Sequence, residues 1–328
     1  MSNNEQCVRG EGANFPFELA RMNYLQPKTY TPMAVAVATG IILTTNTATN
    51  AAEQDWKAGL ISPVANPIYF EDARITSEVR PIFMQHWLPD RFDINGGSVA
   101  LDGYVRVTAL QLRYAITEKL GFIATKDGYI EFKPKGALAT KHAYGWADLA
   151  AGFKYALVDC TECQLLVTPG LTITIPTGDD EVFQHDGEGE WNLFVSAAKG
   201  FNDFHVLGNI GVRIPNDDNE QTTQLHYSLQ LDYRVHDLFV PFVCLNGYTV
   251  LSAGEDRLLG AVPLNTEMYD LINFGSTDAK GDTFLVLGAG LRSNLTKDLS
   301  VGVAYEAGTS TRQGIFDSRL TIDSILRF

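Results

Sequence analysis

The feature that most constrains this chain is a two-residue period that recurs along it. Leu225, Tyr227, Leu229, Leu231, Tyr233 and Val235 alternate with His226, Ser228, Gln230, Asp232, Arg234 and His236. One register is apolar and the other polar, which is the pattern of a β-strand with two unlike faces. It returns in the last thirteen residues, where Phe316, Leu320, Ile322, Leu326 and Phe328 alternate with Asp317, Arg319, Asp323 and Arg327. With turn-forming clusters as boundaries, the spacing predicts twelve strands: 77–86, 98–116, 119–125, 145–157, 164–176, 191–200, 204–215, 223–235, 238–250, 282–294, 298–306 and 316–328. Strand 98–116 changes register midway, from Val105 and Val107 to Leu110, Leu112, Tyr114 and Ile116. That change predicts a β-bulge near Thr108.

Alternation alone fits a soluble sandwich as well as a membrane barrel. The connections separate the two. Long polar links at 87–97, 126–144, 177–190, 216–222, 251–281 and 307–315 alternate with short ones at 117–118, 158–163, 201–203, 236–237 and 295–297. Transmembrane barrels have long loops on one side and short turns on the other. The longest apolar run, residues 33–43, is too short for a membrane helix, so any span must be made of strands. The expected fold is all-β: a transmembrane antiparallel β-barrel of about twelve strands, preceded by a signal peptide.

The faces follow from the period. Leu165, Val167, Leu171, Ile173, Ile175, Val206, Ile210, Val212, Ile214, Leu285, Leu287, Ala289 and Leu291 should meet lipid. Arg113, Asp148, Lys154, Arg213, Asp232, Arg234, Arg292, Glu306, Arg319, Asp323 and Arg327 should line the lumen, and these without Asp148 and Arg327, together with Arg80, make up the expected solute path. A charge on the lipid face would cost roughly 2–4 kcal/mol near the midplane, so their gathering on one register is informative.

Lys+Arg 25 against Asp+Glu 39 gives −14, a balance that disfavours nucleic acid. The acidic runs 179–181 and 217–220 lack EF-hand spacing and read as solvated loops rather than metal sites. No phosphate loop or dinucleotide fingerprint is found, so no cofactor is expected. Cys160 and Cys163 flank a predicted turn, and a disulfide across it is expected in an oxidising compartment.

Lys28, the apolar run 33–43 and the small polar residues 44–51 have the order of a secretory signal, with cleavage near Ala51 and Met22 as the alternative start. This divides the chain into a pre-sequence and signal at 1–51, a periplasmic or lumen-plugging segment at 52–76 and a barrel at 77–328. The middle segment carries Trp56, Ile61, Val64, Ile68, Tyr69 and Phe70 without a regular period. So much apolar surface disfavours a free tail. It should fold into the barrel, with Glu71, Asp72 and Arg74 meeting Arg113, Arg292 and Arg319, while the ion pairs stay wet and weak. Residues 265–274 read as a short helix with Met268, Leu271 and Ile272 on one side, over the outer mouth.

Two stretches carry a family resemblance. Asn66-Pro67, Tyr69-Phe70-Glu71 and Arg80-Pro81, followed by Leu112-Arg113-Tyr114 before a tight turn, resemble a family of outer-membrane transporters associated with the meta-pathway of phenol degradation. The resemblance covers about sixty residues and implies a monomeric barrel that passes small molecules, aromatic or hydrophobic ones among them. The closing strand, ending on Phe328, is similar to those of bacterial outer-membrane barrels, where the terminal aromatic is read by the barrel-assembly machinery. The expected location is the outer membrane, and the expected partners are its lipid, that machinery and a small solute. His226-Tyr227-Ser228 resembles the His-x-Ser pair of outer-membrane phospholipase, which needs that pair to face lipid. Here the register assigns lipid to Leu225, Tyr227 and Leu229, so an enzyme is the weaker alternative, beside a non-conducting structural or binding barrel.

Overall fold

The computed structural model describes residues 56–94, 97–185, 187–255, 267–309 and 314–328. The expected signal peptide and its cleavage site lie outside them, as do residues 52–55 and 265–266.

Twelve strands form the wall: β1 (Glu78–Trp87), β2 (Gly103–Ala115), β3 (Leu120–Lys126), β4 (Leu149–Tyr155), β5 (Leu165–Ile175), β6 (Glu190–Phe201), β7 (Phe204–Pro215), β8 (Thr223–Tyr233), β9 (Val240–Ser252), β10 (Thr283–Asn294), β11 (Leu299–Gly308) and β12 (Ser318–Arg327). Each pairs antiparallel with the next, and β12 returns to β1 with Val79 opposite Leu326 and Trp87 opposite Ser318. The sheet is thereby closed, and the wall has no free edge to satisfy. The seam ladder skips Arg80 and Pro81, as expected where proline has no N–H to give.

Outward side chains are apolar on every side of the wall. Leu110 is 54% exposed and Leu287 54%, and Phe153, Ile175, Ile210, Leu229 and Leu326 are exposed with them. An apolar belt of this extent is the surface of a barrel that stands in lipid rather than water. Exposed Tyr114, Tyr155, Phe201 and Tyr233 ring the short-turn end. Trp87, Tyr129, Trp146, Trp191 and Tyr305 ring the other. These are the two aromatic girdles of such barrels.

Four readings of the sequence need correction. β2 keeps one register throughout, with Val105, Val107, Gln111 and Arg113 all buried and facing in. No bulge interrupts it at Thr108, where its partner changes instead. Tyr129–Pro134 continues β3 along the outer part of β2, and Ala143–Trp146 pairs with that continuation. The expected loop 126–144 is therefore a strand break followed by more strand. Gly128 makes the break possible: its φ is +118°, and a Cβ there would come within 2.7 Å of the Thr108 carbonyl. The register irregularities fall elsewhere, at Ala124/Lys126 and Thr223/Gln224.

The helix expected near 265–274 is also absent among the described residues. Residues 267–282 form turns, yet Met268, Leu271 and Ile272 are buried as a helix would have buried them. Finally, Phe316 does not continue the outward register of β12. The strand begins at Ser318, and Phe316 turns in beside Phe284.

Candidate functional site: the barrel interior

Residues 56–76 run through the ring of strands. After one helical turn, Trp56–Gly59, the chain is irregular, so its backbone groups need partners outside a ladder. The wall supplies them. Arg292 donates to the carbonyl of Ser62 at 3.0 Å, Gln111 to that of Pro67 at 2.8 Å and Ser196 to that of Glu71 at 2.8 Å. Thr168 donates to the carbonyl of Ala73 at 2.6 Å. These donors stand on β10, β2, β6 and β5, so the segment is held from opposite sides. Apolar contacts fill between them. Trp56, Leu60, Phe70 and Ala73 pack on Leu166, Ala198 and Leu207. Ile61, Val64 and Ala65 pack on Val240, Phe242 and Ala304.

Charge fixes the register of the segment. Glu71 takes Arg113 at 2.7 Å and Lys154 at 2.7 Å. Asp72 and Arg74 pair with each other at 2.6 Å rather than with the wall, and Arg74 also donates to the carbonyl of Leu60 at 2.8 Å. Arg292 and Arg319, the other expected contacts, are engaged elsewhere. Asp323 receives Arg292 at 2.8 Å and Arg80 at 2.7 Å. Arg319 bridges Glu306, at 3.0 Å, and Asp270 of the long 251–281 connection. These pairs are buried, not wet, so losing one partner strands a charge and costs several kcal/mol, far more than at a surface.

The remaining lumen residues divide. Arg213 is buried against Glu190, 2.7 Å away, and Asp232 against His205, 2.7 Å away. Asp148 is buried with its Oδ1 accepting from the backbones of Gly178 and His185. Arg234 is only half-buried and pairs with Asp237 in the short turn that follows. Arg327 reaches Glu78 from the rim. Both border a cavity of about 750 Å³ at the short-turn end, with Lys57, Arg74, Glu118 and Lys297. At the long-loop end the interior is closed by apolar packing: Met268, Leu271, Ile272 and Phe274 against Ile82, Met84, Val105, Val107 and Phe132.

Several interior residues were not legible in advance. Glu190 reads as part of an acidic loop, but it opens β6 and shares the inward register with Asn192 and Ser196; that register was the signal. Asp270, Tyr248 and Phe284 carried none, because their roles depend on a loop folding back. Glu267 belongs with them. Its carboxylate accepts the N–H groups of Phe274 and Ser276, both at 2.9 Å. Burial pushes it up to about 7 despite those bonds and the field of Arg213.

The phospholipase-like pair faces the interior. His226 Nε2 is 2.8 Å from Asn192 and its ring lies on Tyr69, while Ser228 accepts from Asn66 at 3.3 Å. Neither meets lipid, which that chemistry requires. The acidic-loop carboxylates are used locally: Asp179 accepts the N–H of Trp146 and Asp217 that of Asn219. Cys160 and Cys163 are joined by a disulfide across the β4–β5 turn.

A closed barrel with an apolar outer belt, a polar interior and a segment of its own chain threaded through that interior defines the class. Comparison with known proteins agrees at the level of fold. No family model matches the chain, and no curated protein does. Among solved structures, an outer-membrane channel from Pseudomonas putida F1 superposes with a TM-score of 0.55 at 15% identity, over 82% of this chain and 100% of that one. NanC porin reaches a TM-score of 0.43 at 8% identity, over 77% of this chain and 99% of its own. KdgM porin, in complex with disordered oligogalacturonate, reaches 0.43 at 9%, over 76% and 99%. At such identities the first likeness is one of architecture, and the two porins add nothing further.

Proposed function

We propose that the protein is an outer-membrane channel or facilitator for passive entry of small solutes, aromatic or hydrophobic ones among them, and that residues 52–76 gate it. One observation carries the reading: the lumen is filled by an irregular segment held through side-chain hydrogen bonds and ion pairs. Wall side chains alone can fill a barrel of about eight strands, whereas twelve leave space for a solute or a plug. In this reading residues 1–51 are removed on export, the barrel-assembly machinery inserts the chain into outer-membrane lipid, and the cavity at the short-turn end is the periplasmic vestibule. The paired charges Arg80, Arg113, Lys154, Arg213, Arg292, Glu306, Arg319 and Asp323 would line the solute path once the segment shifts.

The test is conductance of refolded protein in planar bilayers. Deleting residues 53–72 should raise single-channel conductance several-fold over wild type. Unchanged conductance in a folded, heat-modifiable deletion variant would exclude the gate. No conductance from either form would favour the non-conducting structural barrel. An exported protein whose N-terminal sequence does not start near Ala52 would overturn the processing step.

A further inference from the structure

Most cations of the interior are met by acids of the wall itself. Arg213 has Glu190, Arg80 and Arg292 share Asp323, and Arg319 has Glu306. Arg113 and Lys154 differ. They stand on the inward registers of β2 and β4 with β3 between them, Arg113 opposite Ile123 and Lys154 opposite Gly121. The acid they share, Glu71, belongs to the inserted segment. Among the described residues Lys154 has no other ion pair in contact. Arg113 has only Glu78 besides, 3.8 Å away, and Glu78 also receives Arg327.

The contact has the form in which an arginine holds a free carboxylate. Nε of Arg113 donates to Oε1 of Glu71 at 2.9 Å and Nη2 donates to Oε2 at 2.7 Å, the two-bond fork of such pairs. Lys154 Nζ donates to Oε1 at 2.7 Å. Gln111 holds the fork from behind: its Oε1 accepts from Nη2 of Arg113 at 3.1 Å, and its amide donates to the carbonyl of Thr125. All these donors are mounted on the wall, and only the acceptor rides on the segment. When Glu71 withdraws, two buried cations are left facing Glu78 alone. A buried charge without a partner is strongly destabilising, so the segment leaves readily only when another anion takes its place. Residues 73–76 border the cavity at the short-turn end, close in sequence to Glu71, and give a small anion an approach.

We propose that Arg113 and Lys154 form a carboxylate-binding site for the solute, and that Glu71 occupies it as a tethered stand-in. The solute's carboxylate replaces that of Glu71 on the same two cations. The charge of the site is unchanged by the exchange, and the segment comes free. A neutral solute of the same shape cannot make the exchange. The inference rests on the gated-channel reading and names the chemical group that opens the gate.

The test uses propionate, the free equivalent of a glutamate side chain, labelled with carbon-13 at the carboxyl and followed by NMR with the refolded protein in detergent micelles. Glu71→Gln and Glu71→Ala remove the stand-in. Both should show saturable propionate binding with an apparent affinity about tenfold above wild type, because the site is no longer self-occupied. Adding Lys154→Met should abolish it, since Arg113 and Glu78 then balance. Folded Glu71 variants that titrate as wild type does would overturn the proposal, and so would binding indifferent to Lys154→Met. Wild-type protein supplies a measurement that needs no variant. Propionate should speed protease cleavage within 56–76 several-fold over chloride at equal ionic strength, and propionamide, its neutral counterpart, should not. Equal rates in propionate and chloride, or an equal response to propionamide, would also overturn it. Conductance of the 53–72 deletion separates this from the channel reading. Conductance without saturable propionate binding sinks the site alone, and saturable binding without conductance sinks the channel and leaves the site.

Discussion

Glu71 is the residue on which the inserted segment turns. It answers Arg113 and Lys154 at once, with all three side chains buried. Glu71→Gln keeps the shape and removes the charge, leaving the buried Lys154 without its counter-ion and Arg113 with only Glu78, 3.8 Å away. Breaking such a pair costs about 3–5 kcal/mol. The segment should detach before the wall melts, so the variant should conduct more while its barrel melting temperature changes little. Equal loss of both would mean that the segment and wall unfold as one unit. Glu267 poses the opposite case, a buried carboxyl with backbone hydrogen bonds and, among the described residues, no ion pair in contact. Held at about 7 in the closed loop against an ordinary 4.5, it favours the closed loop most fully below pH 4.5. That contribution is lost as pH rises through about 7, up to about 3 kcal/mol in all. Channel open probability should therefore rise between pH 5 and pH 8, and Glu267→Gln should flatten the profile. A profile that survives in Glu267→Gln would place the titration on another group.

At the scale of elements, the inserted segment leaves no room for a side chain on β11 at Gly302. A Cβ on Gly302 would lie 2.6 Å from Cγ2 of Val64 and 2.7 Å from Oδ1 of Asp323. Gly302→Leu should therefore expel the segment without breaking the β10–β11–β12 ladder, since its backbone pairing needs no side chain. Protease cleavage within 56–76 should appear in the variant and not in wild type. A variant as resistant as wild type would show that the wall yields instead. The strands themselves were legible because alternation is imposed by two different solvents, lipid outside and a polar interior. The mistakes occur where that contrast fades. At the long-loop end the interior is apolar, so Val105 and Val107 face in while reading as lipid-facing residues, and their pattern calls for a bulge near Thr108 that the strand does not make. The 267–282 segment buries Met268, Leu271 and Ile272 without a helix, because apolar spacing over ten residues specifies what is buried but not the backbone that buries it. Which acid meets which base was not readable either. Arg292 and Arg319 were matched to the inserted segment by sign, yet Asp323, Glu306 and Asp270 stand closer on neighbouring strands and loop.

For the whole molecule, closure is the decisive event, and it depends on the seam between β1 and β12. That seam is short of a full ladder at Arg80 and Pro81, so the pairs on either side of the gap must hold it. Phe328 lies at its short-turn end: the backbone N–H donates to the carbonyl of Ser77 at 3.1 Å, while the ring is 71% exposed. A ring with so little packing adds little to a finished barrel, and loss of one rim hydrogen bond costs about 1 kcal/mol. Its larger effect should come earlier, before the seam forms, when an exposed terminal aromatic can be recognised by assembly machinery. Deleting Phe328 should then slow insertion in pulse-chase experiments several-fold, while the unfolding midpoint of barrel already assembled shifts by about 1 kcal/mol or less. If insertion keeps its wild-type rate, or if assembled barrel loses stability in proportion to the delay, the terminal ring acts through the folded seam and not through its recognition.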